Sequence, residues 1–355
     1  MTSDKKKKSV VRKIFGYLLP ILLTLIFLYI TFKDVNLAQT FDLIIDSSFT
    51  WFIIFTISFF ISHVIRAIRW KVMLKSVKPN TSLLYLLGAT MIGYGVNSLV
   101  PRLGELYRGM FAGRWEGISR SSVIGSVVVE RVVDILILGL SVLISVIIYP
   151  GDLYSDITWL KPALYLGFFG IFSIIATLIL LVKMKHKFYD WIVKFIGRFS
   201  VKWAEKLSYI FEMLIDGFST IKGVINYFWV IVLSALIMLS YGLTSYFAFF
   251  VLNFDGFYEV SFAMAWIVMT ISAFGVIIPT PGGTGTYHFI AKSVLVGLFA
   301  FSQEAGSAFA LLTHTVSMVI FISSMFFFIV FINRYRAKLG FPKETFFSVI
   351  KGEST

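Results

Sequence analysis

The stretch "IIPTPGGTGTYHF", residues 277–289, decides how the chain is folded. It ends an apolar run from Phe262 to Ile278 and places two prolines and three glycines directly after it. A helix does not continue through this composition, because Pro279 and Pro281 lack a backbone donor and glycine favours non-helical conformations. Backbone groups released within a bilayer need partners other than lipid. The stretch therefore predicts a helix break whose backbone lines a cavity or packs inside the protein.

The composition around this break is that of a polytopic helical membrane protein. The 355 residues are 58% hydrophobic and only 14% charged, with a mean hydropathy of +0.86. The absence of cysteine excludes disulfides and thiolate metal sites. Basic residues flank apolar helices, so the net charge of +13 favours anionic lipids over nucleic acid as the partner. We predict no cofactor, metal site or catalytic group, since no metal cluster, phosphate loop or nucleophile–base pair is recognisable.

The distribution of basic residues predicts which segments face the cytoplasm. Five segments hold 28 of the 32 lysines and arginines: 1–13, 62–82, 102–120, 183–224 and 334–355. The other polar segments contain two lysines and eight acidic residues: 33–50, 150–162, 253–260 and 302–307. The positive-inside rule places the first group, and both termini, in the cytoplasm. We expect a multi-pass protein of a bacterial or archaeal cytoplasmic membrane.

This sidedness predicts two broken helical hairpins. Residues 82 and 120 lie on one side, so the apolar run 83–101 must be followed by a return that breaks at Pro101–Gly104. Residues 261–301 must also return, with their break at Pro279–Gly285, although two full spans would satisfy the same parity.

The resulting fold class is an all-α membrane protein with about six full spans and two broken hairpins. We predict two inverted repeats, 1–155 and 156–340, because three crossings in each half invert the second half. The second repeat includes an amphipathic insertion, 183–224, and a cytoplasmic tail follows at 341–355.

The first break, in "NSLVPRLGELYRG" at residues 97–109, carries polar and charged side chains. If the return arm is helical, charges spaced by three residues share one side of it. Two guanidinium forks with Glu105 as internal counter-ion would suit a polar headgroup or an ion. The residues assigned to headgroup binding here are Asn97, Arg102, Glu105 and Arg108. The alternative is an interfacial loop with snorkelling arginines.

The closing span of the first half contains three charges in "VVVERVVDILIL", residues 127–138. Glu130 and Asp134 lie on one helix face, with Arg131 about 100° away. Charges within a span are costly unless they are paired or face water, so we assign all three to the headgroup site. Glu130 or Asp134 could pair with an arginine of the first break; a structural ion-pair lock is the alternative.

A further pair of arginines ends the second span in "HVIRAIRWK", residues 63–71. Arg66 and Arg69, with Trp70, are typical of positive-inside anchoring beside an aromatic belt. A phosphate-binding role is the alternative interpretation.

The second break supplies hinge residues and further cations. The hinge positions predicted in the two breaks are Pro101, Gly104, Pro279, Pro281, Gly282, Gly283 and Gly285. The short arm after the second break begins with unpaired amides at the positive end of its dipole. His288 and Lys292, four residues apart, add cationic groups and predict an anion site for a lipid phosphate. We add His314 to the headgroup set, although a lone histidine on an apolar face is often only a packing residue.

Three ordered motifs resemble those of the lysylphosphatidylglycerol synthase membrane-domain family, also called flippase-like. They are the motif of the first break, the E-R-x-x-D motif at Glu130–Asp134, and P-G-G-x-G at Pro281–Gly285. In the first motif Arg102 follows Pro101 directly, whereas the family pattern has the arginine two residues after the proline. The resemblance covers nearly the whole chain. It implies a prokaryotic inner-membrane protein related to the lipid-moving half of aminoacyl-lipid synthases.

Two departures from the family pattern bear on the substrate. The synthases continue into a cytoplasmic aminoacyl-transferase domain, and the sequence stops at Thr355, so we expect no enzymatic activity of the chain alone. The family usually has an acidic residue where this chain has His288. A histidine suits an anionic or neutral headgroup better than a cationic aminoacylated one.

The sequence thus predicts a flippase-like protein that binds and translocates a lipid or a lipid-linked headgroup. The alternative is a membrane subunit of an aminoacyl- or glycosyl-lipid transfer enzyme, working with a separate transferase partner. A non-transporting membrane scaffold is the third hypothesis.

Overall fold

A computed structural model describes residues 18–184, 194–198, 200–201, 203 and 223–351, and all regular structure in these residues is helical. The predicted all-α class is confirmed for this part of the chain. The basic segment 1–13 and most of the predicted insertion 183–224 lie outside the described residues.

The helices follow one another along the chain on both sides of the predicted insertion 183–224. Before the insertion they are α1 (Leu18–Phe32), α2 (Leu37–Ile45), α3 (Phe49–Leu74), α4 (Leu83–Leu99), α5 (Gly104–Glu116), α6 (Arg120–Ile148) and α7 (Leu160–Met184). After it they are α8 (Val224–Val251), α9 (Phe262–Ser272), α10 (Thr286–Phe299) and α11 (Gln303–Lys338). Single turns occur at Leu153–Asp156, Phe274–Ile277 and Ser348–Lys351.

Local sequence signals explain several helix starts. The side chains of Asn36, Ser119 and Ser261 each accept a hydrogen bond from a backbone N–H in the first turn of α2, α6 and α9. Such caps satisfy one of the amide donors that a helix start leaves without an intrahelical partner.

Among the described residues, four helices are long and apolar enough to cross a membrane: α3, α6, α8 and α11. A fifth span results if α1 and α2, which meet at an angle of 89°, count as one bent span. The protein is therefore a multi-pass membrane protein with four to five apolar spans among its described residues. The prediction of about six full spans stays a prediction.

Both predicted helix breaks are confirmed. Helix α4 ends at Leu99 and α5 begins at Gly104, while the second break separates Ile277 from α10. The chain folds back after each break. The Glu116 carboxylate at the end of α5 accepts a hydrogen bond from the Ser82 N–H just before α4, at 2.6 Å. In the second hairpin, α9 packs along α10.

The chain divides into two compact units. The first comprises Met1–Phe60, Ile92–Gly104 and Ser240–Phe326; the second comprises Ile61–Met91, Glu105–Leu239 and Phe327–Thr355. The predicted halves 1–155 and 156–340 are a division by internal symmetry, not by compactness, and they stay a prediction.

Candidate functional site

The second unit contains a cluster of buried charges between α3 and α6, which we call the arginine cluster. Its centre is Glu130, whose side chain is 0% exposed. One oxygen of Glu130, Oε1, accepts hydrogen bonds from Arg66 Nη1 at 2.7 Å and from Arg69 Nη2 at 3.1 Å. One turn further along α6, Asp134 accepts from the same two arginines at 2.6 and 2.5 Å.

The broken hairpin contributes a third arginine to the cluster. Arg108, on α5, places Nη2 2.8 Å from Glu130 Oε2. Its guanidinium group also lies over the Trp70 ring, 3.9 Å from the centroid, in cation–π geometry. The indole N–H of Trp70 donates to Ser126 Oγ at 2.9 Å, which fixes the ring that supports Arg108.

A fourth arginine lies at the edge of the cluster. Arg131 is 36% exposed, with Nη1 3.6 Å from Asp134. Three buried arginines and the partly exposed Arg131 thus surround two carboxylates. Isolated charges buried away from water are strongly unfavourable, so the carboxylates are required to hold the arginines together.

The spacing of the sequence explains why this cluster forms. Arg66 and Arg69 are three residues apart on α3, and Glu130 and Asp134 are four apart on α6, so each pair occupies one face of its helix. Two guanidinium groups therefore meet two carboxylates over one helical turn. Ser234 on α8 accepts a further hydrogen bond from Arg69 Nη1 at 2.8 Å, which fixes the orientation of that guanidinium.

The structure brings together four of the residues that the sequence assigned to headgroup binding: Arg108, Glu130, Arg131 and Asp134. Arg66 and Arg69, which the sequence predicts as anchors at the end of a span, are the main partners of the two carboxylates. The three-residue spacing of Arg66 and Arg69 on an apolar helix is the sequence feature that could have predicted this pairing.

Two other polar residues of the first break belong to the first unit and have a different environment. Asn97 Oδ1 accepts a hydrogen bond from the Gly104 N–H at 2.7 Å, and so satisfies the first amide of α5. Arg102 is exposed and has a left-handed backbone with φ of 64°. Glu105, in the second unit, is only partly buried. The hydrogen bond between Asn97 and Gly104 thus stabilises the turn between α4 and α5.

Three glycines in the second break have conformations that other residues rarely adopt. Gly282, Gly283 and Gly285 have φ values of 58°, 80° and 85°. A Cβ atom on Gly285 would also lie 2.8 Å from the Thr24 carbonyl oxygen of α1. The P-G-G-x-G motif is therefore required for backbone geometry and for the close approach of α1.

Two histidines hold the ends of this glycine segment. The Gly285 N–H donates to His288 Nδ1 at 3.2 Å, and His314 Nε2 lies 3.0 Å from the Gly282 carbonyl oxygen. Because an amide only donates and a carbonyl only accepts, Nδ1 of His288 carries no proton and Nε2 of His314 carries one. The two rings are in contact, with centroids 4.5 Å apart.

Lys292 connects the short arm to α1. It lies one helical turn beyond His288 and is 8% exposed, and its Nζ donates to the Thr31 carbonyl oxygen at 2.6 Å. Thr31 is in the last turn of α1, where carbonyl groups have no intrahelical partner. A cation at the negative end of a helix dipole is stabilising, so Lys292 has a structural function in this arrangement.

Comparison with known proteins identifies a family relationship. A family model described as "Lysylphosphatidylglycerol synthase TM region" matches residues 17–324, which include the arginine cluster and both helix breaks. No curated protein and no solved structure matches the chain.

Proposed function

We propose, from the premise that the chain belongs to the lysylphosphatidylglycerol synthase TM-region family, that it binds an anionic lipid headgroup at the arginine cluster and translocates that lipid. A membrane protein of this family fits a lipid-related role. The identity of the headgroup site and the translocation are the proposal.

The observation that carries the proposal is the convergence of three buried arginines, Arg66, Arg69 and Arg108, on Glu130. Because the cost of desolvation offsets much of the Coulombic gain, a buried ion-pair cluster is a poor means of stabilising a fold, and this favours a functional role. Guanidinium groups present several donors in a planar fork, which matches the oxygens of a phosphate group. In this proposal Glu130 and Asp134 keep the arginines in position, and a phosphate of the lipid binds to the guanidinium groups.

The lengths of the hairpin arms support the proposed membrane arrangement. Helices α5 and α10 contain 13 and 14 residues, which corresponds to roughly 20 Å of helix against a hydrocarbon thickness of about 30 Å. Arms of this length support re-entrant hairpins that do not cross the bilayer. Two such hairpins in two inverted repeats, with both termini in the cytoplasm, give the transporter plan that we propose.

The second break has a supporting role in this proposal. His288, His314 and Lys292 are engaged with the protein backbone, so we assign them to the geometry of the hinge and not to the headgroup. The three left-handed glycines make this segment the place where the backbone changes direction without a side-chain clash.

The second candidate function is that of the membrane part of an aminoacyl- or glycosyl-lipid transfer system. The family model that matches is described as a region of a synthase, which is the observation in favour of it. Transfer of a radiolabelled amino acid to lipid by the purified chain would establish it. Restoration of transfer only by an added transferase would support a subunit role.

A reconstitution assay tests the proposed function directly. Proteoliposomes would contain a trace of fluorescent phosphatidylglycerol or, separately, fluorescent phosphatidylcholine, and a membrane-impermeant quencher would report movement between leaflets. We expect protein-dependent movement of the anionic lipid, and we expect Arg108→Gln to slow it about tenfold or more, since a charged hydrogen bond contributes about 1.5–3 kcal/mol.

The matched control is Lys75→Gln, which removes one exposed positive charge just beyond the end of α3. This variant should behave as the wild-type protein. An absence of protein-dependent movement, or equal loss in Arg108→Gln and Lys75→Gln, would refute headgroup translocation through the arginine cluster.

A further inference from the structure

The C-terminal segment after α11 folds back onto α5, the helix that carries Arg108. Gly340 has φ of 82° and ends α11, and the Phe341 N–H donates to the Arg336 carbonyl at 3.1 Å. The segment that follows lies beyond residue 324, where the family match ends. We call residues 341–349 the strap.

The upstream end of the strap is held by a double hydrogen bond. The side chain of Asn333 donates to the Glu344 carbonyl at 2.7 Å and accepts from the Glu344 N–H at 2.9 Å. Both residues are buried. The Glu344 carboxylate accepts from Ser348 Oγ at 2.7 Å and lies 3.9 Å from Arg114 Nε of α5. An amide side chain that satisfies both backbone groups of one residue fixes that residue with little freedom.

The middle of the strap packs on α5 on both sides of Arg108 in the sequence. The Phe346 ring meets Tyr107 edge-to-face at 5.2 Å and Phe111 edge-to-face at 5.7 Å. Edge-to-face geometry is a favourable arrangement of aromatic rings. In addition, Arg336 Nη1 of α11 donates to the Trp115 carbonyl oxygen in the last turn of α5 at 2.8 Å. Helix α5 is thus held from one direction by the strap, and Arg108 extends from it to Glu130.

We propose that the strap sets the position of α5 and thereby holds Arg108 against Glu130, so that a segment outside the family-matched region controls the arginine cluster. Phe346 acts on Arg108 through Tyr107 and Phe111 of the same helix, which makes Phe346 a positioning residue. The step from control of the cluster to control of headgroup binding rests on the proposed function. The docking of the strap on α5 does not.

Two adjacent phenylalanines provide a matched pair of variants for the test. Phe346 is half-buried between two aromatic rings, whereas Phe347 is 79% exposed. In the full-length protein in detergent, hydrogen exchange would be measured by mass spectrometry on peptides covering α5. We expect Phe346→Ala to accelerate exchange in α5 about tenfold, because two aromatic pairs are lost, and Phe347→Ala to leave it unchanged. Asn333→Leu should act in the same direction as Phe346→Ala.

A second measurement on the same variants connects the strap to the arginine cluster. Retention of phosphatidylglycerol, with phosphatidylcholine as the reference lipid, should fall several-fold in Phe346→Ala and not in Phe347→Ala. Equal exchange in the two alanine variants would overturn the docking of the strap on α5. Faster exchange in α5 with unchanged retention of phosphatidylglycerol would overturn its control of the arginine cluster. If the wild-type protein retains no anionic lipid while exchange in α5 still differs, the proposed function fails and the strap on α5 stands.

Discussion

Replacement of Glu130 by glutamine tests how much the arginine cluster depends on its central carboxylate. Glu130→Gln preserves the shape of the side chain but removes the charge that contacts Arg66, Arg69 and Arg108. Removing one partner of a buried ion pair costs about 3–5 kcal/mol, and Glu130 is completely buried.

The assay is equilibrium unfolding of the purified protein in mixed micelles, titrated with a denaturing detergent. We expect a loss of about 3–5 kcal/mol in the free energy of unfolding for Glu130→Gln. Asp134→Asn should cost less, since Asp134 is partly exposed and can be solvated. The control is Glu259→Gln, which changes an exposed carboxylate and should have an effect within about 0.5 kcal/mol of zero.

A double variant separates electrostatics from packing. In Glu130→Gln with Arg108→Gln, one positive charge is removed together with the negative one, so the combined loss should be smaller than the sum of the two single losses. Additive losses, or a Glu130→Gln variant as stable as Glu259→Gln, would refute the view that Glu130 holds the arginines together.

Three further predictions concern the second helix break. Gly285→Ala should destabilise the protein by more than about 1 kcal/mol, because the φ of Gly285 is positive and an added Cβ would clash with α1. Gly297→Ala, at an open helical position, should be neutral or stabilising. Thermal unfolding of the two variants distinguishes these outcomes. His288→Gln should retain near wild-type stability and His288→Ala should lose about 1 kcal/mol, since only glutamine can accept the same backbone hydrogen bond; equal stability of the two would contradict the capping role. Lys292→Met should accelerate hydrogen exchange in the last turn of α1 around Thr31, with no change expected if the 2.6 Å contact contributes nothing.

The sequence predicted the features that depend on local chemistry. Proline and glycine act on the backbone where they stand, so the breaks at Pro101–Gly104 and Pro279–Gly285 could be located without a structure. The shared face of Glu130 and Asp134 likewise follows from helical periodicity alone.

The features that depend on tertiary contacts could not be predicted in the same way. Arg66 and Arg69 end an apolar span, where arginines usually snorkel to the interface. Only their side-chain contacts with Glu130 and Asp134 show that they bind carboxylates. The sequence predicts His288 and Lys292 as groups for an anion. It does not show that His288 accepts a hydrogen bond from the Gly285 amide or that Lys292 donates one to a carbonyl of α1.

The central claim is that the arginine cluster binds an anionic lipid, and native mass spectrometry tests it most directly. The wild-type protein, Arg108→Gln and Lys75→Gln would each be released from micelles containing equal amounts of phosphatidylglycerol and phosphatidylcholine. We predict that the wild-type protein and Lys75→Gln retain phosphatidylglycerol preferentially and that Arg108→Gln loses this preference. Equal retention of the two lipids by the wild-type protein, or an unchanged preference in Arg108→Gln, would contradict it.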